Sequence, residues 1–338
     1  MSSIGDVAAL EACLGKRSDS IDLKVIDHLD DGAQRWIAAA PLAFCAFAGV
    51  TGPLLSLGIT LAGGAAGFAR AAGPLRLALP LASLDAADLA VEGAGFAALF
   101  LVPGIGETLR VNGRVATVSA EAAEVAVEEC YIHCAKALIR SEFWSAEPQE
   151  YGTDDPAAFL AESRFLALAT VDDQGRADVS PKGDPAGTLI RLDGGVACYA
   201  DRPGNRRADS FRNILAQPRV AAAALRLGSS RVATITGRAR LSADDATRAA
   251  FAVNGKTPKL ATLVDDARVT LAESPALARA RLWPAAPRPD GLNAAAILAA
   301  HVKRNRNGGL AAGIVRAAVS LPGVLESELR RDYKNNLY

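Results

Sequence analysis

GFAALFLVPGIGETLRVNGR, residues Gly95 to Arg114, lies without a gap over RVAAAALRLGSSRVATITGR, residues Arg219 to Arg238. Each stretch is an apolar run, a glycine-containing turn and a second run ending in Gly-Arg (Gly113-Arg114 and Gly237-Arg238), which is the pattern of a β-hairpin. Two hairpins in one register mark an internal repeat, and a repeat decides the architecture before any single element does. The register extends both ways. Upstream, Ala87-Asp88 matches Ala208-Asp209, and TLAGGAAG (Thr60 to Gly67) matches SPKGDPAG (Ser180 to Gly187) through Gly63/Gly183 and Gly67/Gly187. Downstream, IRSEFW ending at Trp144 matches ARARLW ending at Trp283, after a longer insert in the second copy that contains FAVNGKTPK.

The boundary between the copies falls in the polar stretch SAEPQEYGTDD, Ser145 to Asp155, which gives an N-terminal repeat over 1–150 and a C-terminal repeat over 151–338. A chain of 338 residues suits two domains of ordinary size. Short strands with Gly, Pro and Asp turns dominate each copy, and AESRFLALATVDDQGRADVS reads as strand, turn and strand. Helical patches lie between, such as NRRADSFRNIL with Phe211, Ile214 and Leu215 on one side. The expected class is mainly β with helices (α+β), built from two closed or partly closed barrels. From Asp290 the tail reads as a helix to Gly308-Gly309 and then as a second helix toward DYKNNLY.

Half the residues are apolar and 22% are charged, enough for a well-buried core. Lys+Arg and Asp+Glu balance at 37 each, which argues against a general nucleic-acid binder. Five scattered cysteines, with no CxxC pair and no His/Cys cluster of zinc spacing, predict no metal site and a reduced, cytoplasmic compartment. No secretory signal is read at the N-terminus. Trp36 to Ala69 carries no charge and is long enough to cross a bilayer, but Pro41, Gly49, Gly52, Pro53, Gly58, Gly63, Gly64 and Gly67 break it up, so buried strands are expected and not a membrane partner.

The two copies differ in where their polar chemistry lies. The second carries Ser180-Pro181-Lys182-Gly183-Asp184 at a strand end and Asp201-Arg202-Pro203-Gly204-Asn205-Arg206-Arg207 leading into a helix. Guanidinium forks match phosphate oxygens, and the first amides of a helix are unpaired, so the pair of loops is a candidate anion cradle. At the equivalent places the first copy has Leu81-Ala82-Ser83-Leu84-Asp85-Ala86, and Ala62 for Lys182. The first copy in turn carries Glu107-Thr108-Leu109-Arg110 and, from Tyr131 to Ser141, YIHCAKALIRS, dense in His, Lys and Arg; the matching VTLAESPALARA lacks the His and Lys. Each copy is intact where the other is degenerate.

Taken together, FLALATVDDQGRADVSPKGDPAG with YADRPGNRRADSFRNIL in copy two, and FLVPGIGETLRVNGR with YIHCAKALIRSEFW in copy one, resemble the pyridoxamine 5′-phosphate oxidase-like group of FMN-binding split barrels. KVIDHLDDGAQRWIA and DYKNNLY extend that resemblance to both ends of the chain. The resemblance implies two tandem split β-barrels packed as an intrachain pseudo-dimer, since members of the group are homodimers with FMN at the subunit interface. It further implies that Ser180, Lys182, Arg202, Asn205, Arg206 and Arg207 surround the FMN phosphate and ribityl chain. Glu107, Thr108, His133, Lys136, Arg140 and Trp144 would come from the other copy to the isoalloxazine or substrate side. In related barrels the cleft also takes deazaflavin or haem.

The expected activity is that of an FMN-dependent oxidoreductase or oxidase acting on a small molecule, with one flavin between the repeats. The alternatives are a non-catalytic flavin- or haem-binding protein and a cofactor-free pseudo-enzyme. Fusion of the repeats lets the pseudo-dimer suffice without excluding a homo-oligomer. His133 is the candidate for proton transfer or a flavin or haem contact, against a strand-end residue bonded to a carbonyl. Lys136 and Arg140, four apart, either share an anion or form a solvated face. Cys134 is a redox nucleophile or a buried thiol. Trp144 and Trp283 hold equivalent repeat positions, which favours packing for both, and Tyr199 reads as core.

Overall fold

The computed structural model describes residues 3–17, 19–51, 54–150, 152–204, 207–306, 310–319 and 323–338. Its strands are β1 (Ser3–Ile4), β2 (Leu42–Thr51), β3 (Leu54–Gly63), β4 (Arg70–Ala71), β5 (Arg76–Pro80), β6 (Gly95–Leu101), β7 (Thr108–Val118) and β8 (Ala122–His133). They continue with β9 (Phe165–Val171), β10 (Ala177–Gly183), β11 (Ile190–Asp193), β12 (Val196–Ala200), β13 (Arg219–Leu225), β14 (Arg231–Ser242) and β15 (Ala261–Glu273).

The strand order carries the repeat into three dimensions. One sheet runs β3-β2-β6-β7-β8-β5-β4 and the other β10-β9-β13-β14-β15-β12-β11, the same order once β2 is equated with β9 and each later strand with its successor. All pairings are antiparallel. The two hairpins that define the repeat are β6/β7 and β13/β14, and the Gly-Arg ending each sits at a register shift, between Asn112 and Gly113 in one and between Thr236 and Arg238 in the other. Gly113 has no room for a side chain, because a Cβ there would stand 2.0 Å from Ala126 O. A bulge that bends the strand is what lets a short sheet curl. The fold is thus two tandem split β-barrels, mainly β with helices.

The uncharged run from Trp36 to Ala69 resolves into the end of helix Asp31–Ala39 and the buried pair β2/β3. Among the described residues no helix is long and apolar enough to cross a membrane. Trp36 is fully buried inside the first barrel and donates from Nε1 to Phe100 O at 3.1 Å.

Three apolar cores follow from the alternation of the strands. One fills the first barrel and one the second. The third lies between them, where Phe44 of β2 meets Phe165 of β9 at 5.4 Å between ring centroids and Phe143 packs on Phe165 at 5.0 Å. Two glycines matched in the repeat make this contact close: a Cβ on Gly183 would lie 2.0 Å from Ala137 O, and one on Gly63 would lie 2.3 Å from Ala276 O. Ala137 and Ala276 stand at equivalent places in the short helices Lys136–Arg140 and Pro275–Ala280, so the units meet about a pseudo-twofold axis.

The terminal segments cross between units. β1 pairs with β14, and Ile4 and Leu10 enter the core of the second barrel. Leu292, Ala294 and Ile297, at the start of helix Ala294–Arg304, enter the core of the first. Beyond the predicted break the tail forms two helices rather than one, Leu310–Val319 and Val324–Asn335.

Candidate functional site

A cleft of about 760 Å³ opens where the end of β8 and helix Lys136–Arg140 of the first unit face the ends of β10 and β12 and helix Asp209–Ala216 of the second. Its volume is that of a small-molecule site. The first unit contributes Arg110, His133, Cys134, Lys136 and Arg140; the second contributes Ser180 to Asp184 with Asp201 to Gly204 and Arg207, and the tail adds Asp332, Asn336 and Tyr338. Among the described residues, eight cationic side chains line it against four carboxylates.

The cations are held by a built network. Arg202, 5% exposed in its side chain, donates from Nε to Asp184 Oδ2 at 2.7 Å and from Nη2 to Phe251 O at 2.8 Å. Arg140 donates across the interface to Gly183 O at 2.9 Å and Pro203 O at 3.3 Å. Lys182 Nζ lies 3.9 Å from Asp201 Oδ1. Burial pushes the carboxyls of Asp184 and Asp201 up and the Lys182 ammonium down, and the neighbouring opposite charges partly offset it. Arg207 bonds Asp209 and reaches Asp22 at 3.3 Å, with its guanidinium 4.6 Å from the Tyr131 ring. Ser180 Oγ accepts from Arg110 Nη2 at 2.8 Å and from Ser210 Oγ at 2.9 Å, while Arg110 also bonds Asp178 and Tyr131.

His133 ends β8 at the cleft. Burial, reinforced by Arg110 and Lys24, pushes its imidazole well below the ordinary histidine range. The ring is therefore neutral at pH 7, and among the described residues its buried Nδ1 has no hydrogen-bond partner.

Seven of the twelve sequence-predicted site residues come together here: Ser180, Lys182, Arg202 and Arg207 on one wall, and His133, Lys136 and Arg140 on the other. Asn205 and Arg206 lie outside the described residues. Three predicted residues do not line the cleft. Thr108 is fully buried in β7, Glu107 accepts from the Tyr333 hydroxyl at 3.0 Å, and Trp144 packs against the core between the units and donates to Ile105 O at 2.7 Å. The helix of the second loop begins only at Asp209, after Ala208 in a left-handed conformation, so Arg202 and Arg207 precede its first turn instead of forming it. Sequence reading left out Arg110, the carboxylates that hold the arginines, and the tail. The one signal for Arg110 was its place in ETLR beside the predicted residues.

The mirrored position about the pseudo-twofold axis shows what the first copy's substitutions did. Arg279, the counterpart of Arg140, donates to Gly63 O at 3.1 Å and Ser83 O at 3.0 Å. There Asp85 accepts from Ser274 Oγ and from Ala276 N at 2.7 Å, so the loop that replaced RPGNRR is tied onto the opposing helix by its own carboxylate.

The architecture is that of two antiparallel split barrels with a cation-lined cleft at their junction. Residues 153–284, most of the second unit, match the family model described as Pyridoxamine 5'-phosphate oxidase, and the first unit repeats the strand order of the second. No curated protein sequence matches the chain. Among solved structures, HupZ of Group A Streptococcus aligns at 18% identity and a TM-score of 0.30, over 37% of this chain and 98% of its own. General Stress Protein 26 from Bacillus anthracis aligns at 13% and 0.27, over 34% and 93%. HutZ, the heme storage protein from Vibrio cholerae, aligns at 16% and 0.24, over 34% and 89%.

Proposed function

We propose that the chain holds one FMN in this cleft and acts as a flavin-dependent oxidoreductase on a small molecule, in the cytoplasm. The observation that carries the reading is the composite cleft itself, in which the polar residues each repeat retained meet across one interface. The residues fit the group. Ser180, Lys182 and Arg207 would take the phosphate and ribityl side, with Arg202 held by Asp184 as a fixed backing charge. His133 and Lys136 stand on the opposite wall, where the neutral imidazole would lie beside a ring or a substrate.

Bound flavin supplies the electron or hydride transfer. The protein's part is to fix it, exclude water and orient what lies against the ring. His133, uncharged at pH 7, accepts or donates one hydrogen bond without adding a positive charge. Five unpaired thiols support a reducing compartment. Pairing within the chain completes the cleft without a second copy.

The same imidazole favours a second reading, in which haem fills the cleft and His133 would hold its iron. Titration of the purified protein with FMN and with haem, followed by absorbance, separates the two. One FMN per chain is expected. Two per chain, or a Soret band with no flavin uptake, would overturn the FMN reading. Replacing Lys182 and Arg207 together by Ala removes two charge-assisted phosphate contacts of roughly 1.5–3 kcal/mol each and should weaken FMN binding at least a hundredfold.

A further inference from the structure

The cleft has a third wall that neither repeat supplies. The last turn of helix Val324–Asn335 and the residues after it run across it, and their acceptors take up cations from both units. Lys136 Nζ pairs with Asp332 Oδ2 at 2.8 Å, Arg140 Nη1 donates to Leu337 O at 2.8 Å, and Lys256 Nζ donates to the main-chain oxygen of Tyr338 at 3.0 Å. The Tyr338 ring lies 6.0 Å from the Arg140 guanidinium and 5.6 Å from that of Arg202. Lys136 and Arg140 are 4% and 8% exposed, so each needs a partner.

Arg140 also reaches the loop beside Lys182 through Gly183 O and Pro203 O, so these cations adjoin the wall formed by Ser180, Lys182 and Arg207 while taking their remaining acceptors from the tail. Lys256 belongs to the insert 251–259, which the first repeat lacks. The live cleft therefore carries a cation that the mirrored position has no means to supply. The tail meets the three with the Asp332 carboxylate, the Leu337 carbonyl and an oxygen of Tyr338, acceptors on three separate residues where a compact dianion would offer them from one group.

We propose that the substrate of this cleft is a small multiply charged anion, which binds Lys136, Arg140 and Lys256 by displacing residues 332–338. The tail is then a built-in competitor that holds the cations in its absence. The inference rests on the cleft being the ligand site and adds the substrate class to that reading.

The test is calorimetric titration of the FMN-saturated full chain, and of a chain lacking residues 332–338, with inorganic pyrophosphate and with citrate; the two probes separate phosphate from carboxylate chemistry. Removing the competitor should tighten one or both by about tenfold, the equivalent of one charge-assisted contact. Unchanged or weaker binding overturns the inference. Should the shortened chain not fold, D332A in the full chain is expected to tighten the same probe by about threefold, a partial release of Lys136. Amide exchange over 324–338 should rise as pyrophosphate is added to the unaltered chain; exchange that stays flat or slows is the contrary result. The FMN count per chain is read separately. Uptake of one FMN with no effect of truncation sinks this inference alone, and tightening without FMN uptake sinks the flavin reading alone.

Discussion

Asp184 is 1% exposed and its carboxylate faces Arg202, itself nearly buried, at 2.7 Å. A buried pair of this kind adds little over an apolar isostere, but losing one member strands the other. Arg202→Ala should therefore destabilise the protein by about 3–5 kcal/mol, and adding Asp184→Asn should restore part of that, as read from the urea midpoint. Asp30 gives a pH-dependent counterpart. Burial alone would raise its carboxyl, but bonds from His301 and the Ala33 amide and the charge of Arg304 bring it down to about 2 from an ordinary 3.8. A carboxyl lowered on folding stabilises above its unfolded value. Its contribution, about 2 kcal/mol, should be complete above roughly pH 4 and decline toward pH 2, and Asp30→Asn should flatten the stability profile across that window.

At the level of elements, the short helices that face the paired glycines make some of the closest contacts described between the units. Gly183→Ala and Gly63→Ala each place a methyl group against a backbone carbonyl that cannot move alone. Each should cost about 1–3 kcal/mol by overpacking, seen as a lowered melting temperature. Only Gly183→Ala should also weaken FMN binding, because the helix it displaces carries Lys136 and Arg140 while the helix opposite Gly63 lines no cleft that kept its cations. Equal loss of binding from both would show that the mirrored position is live. The hairpins and these glycine pairs were legible in the sequence because the repeat states them twice. The acceptors of Arg140 were not, since the oxygens of Gly183, Pro203 and Leu337 carry no trace of residue type. Asp184 and Asp201 stood in the quoted loops, but nothing local distinguishes a carboxylate that neutralises an arginine from one in water.

Across the whole molecule, the core between the barrels joins β2 and β3 to β9 and β10, so neither unit buries that face alone. The full chain should unfold in one transition by calorimetry and circular dichroism, and 1–150 or 151–338 expressed singly should lack cooperative melting. Two well-separated transitions would contradict this. Some of this scale was readable, since a lost cradle in one copy and a retained one in the other pointed to a shared cleft. The exchange of terminal segments was not, because Ile4 and Leu10 form no pattern that names a strand more than two hundred residues away.

That exchange bears on how the protein is made. Ile4 finds its partner Leu241 only after the whole stretch between them has been made. The first barrel waits in turn for Leu292 and Ile297. Domains usually fold as they emerge, N-terminal first. Here the earlier barrel is the later to be completed, since its core closes only once synthesis has passed residue 297.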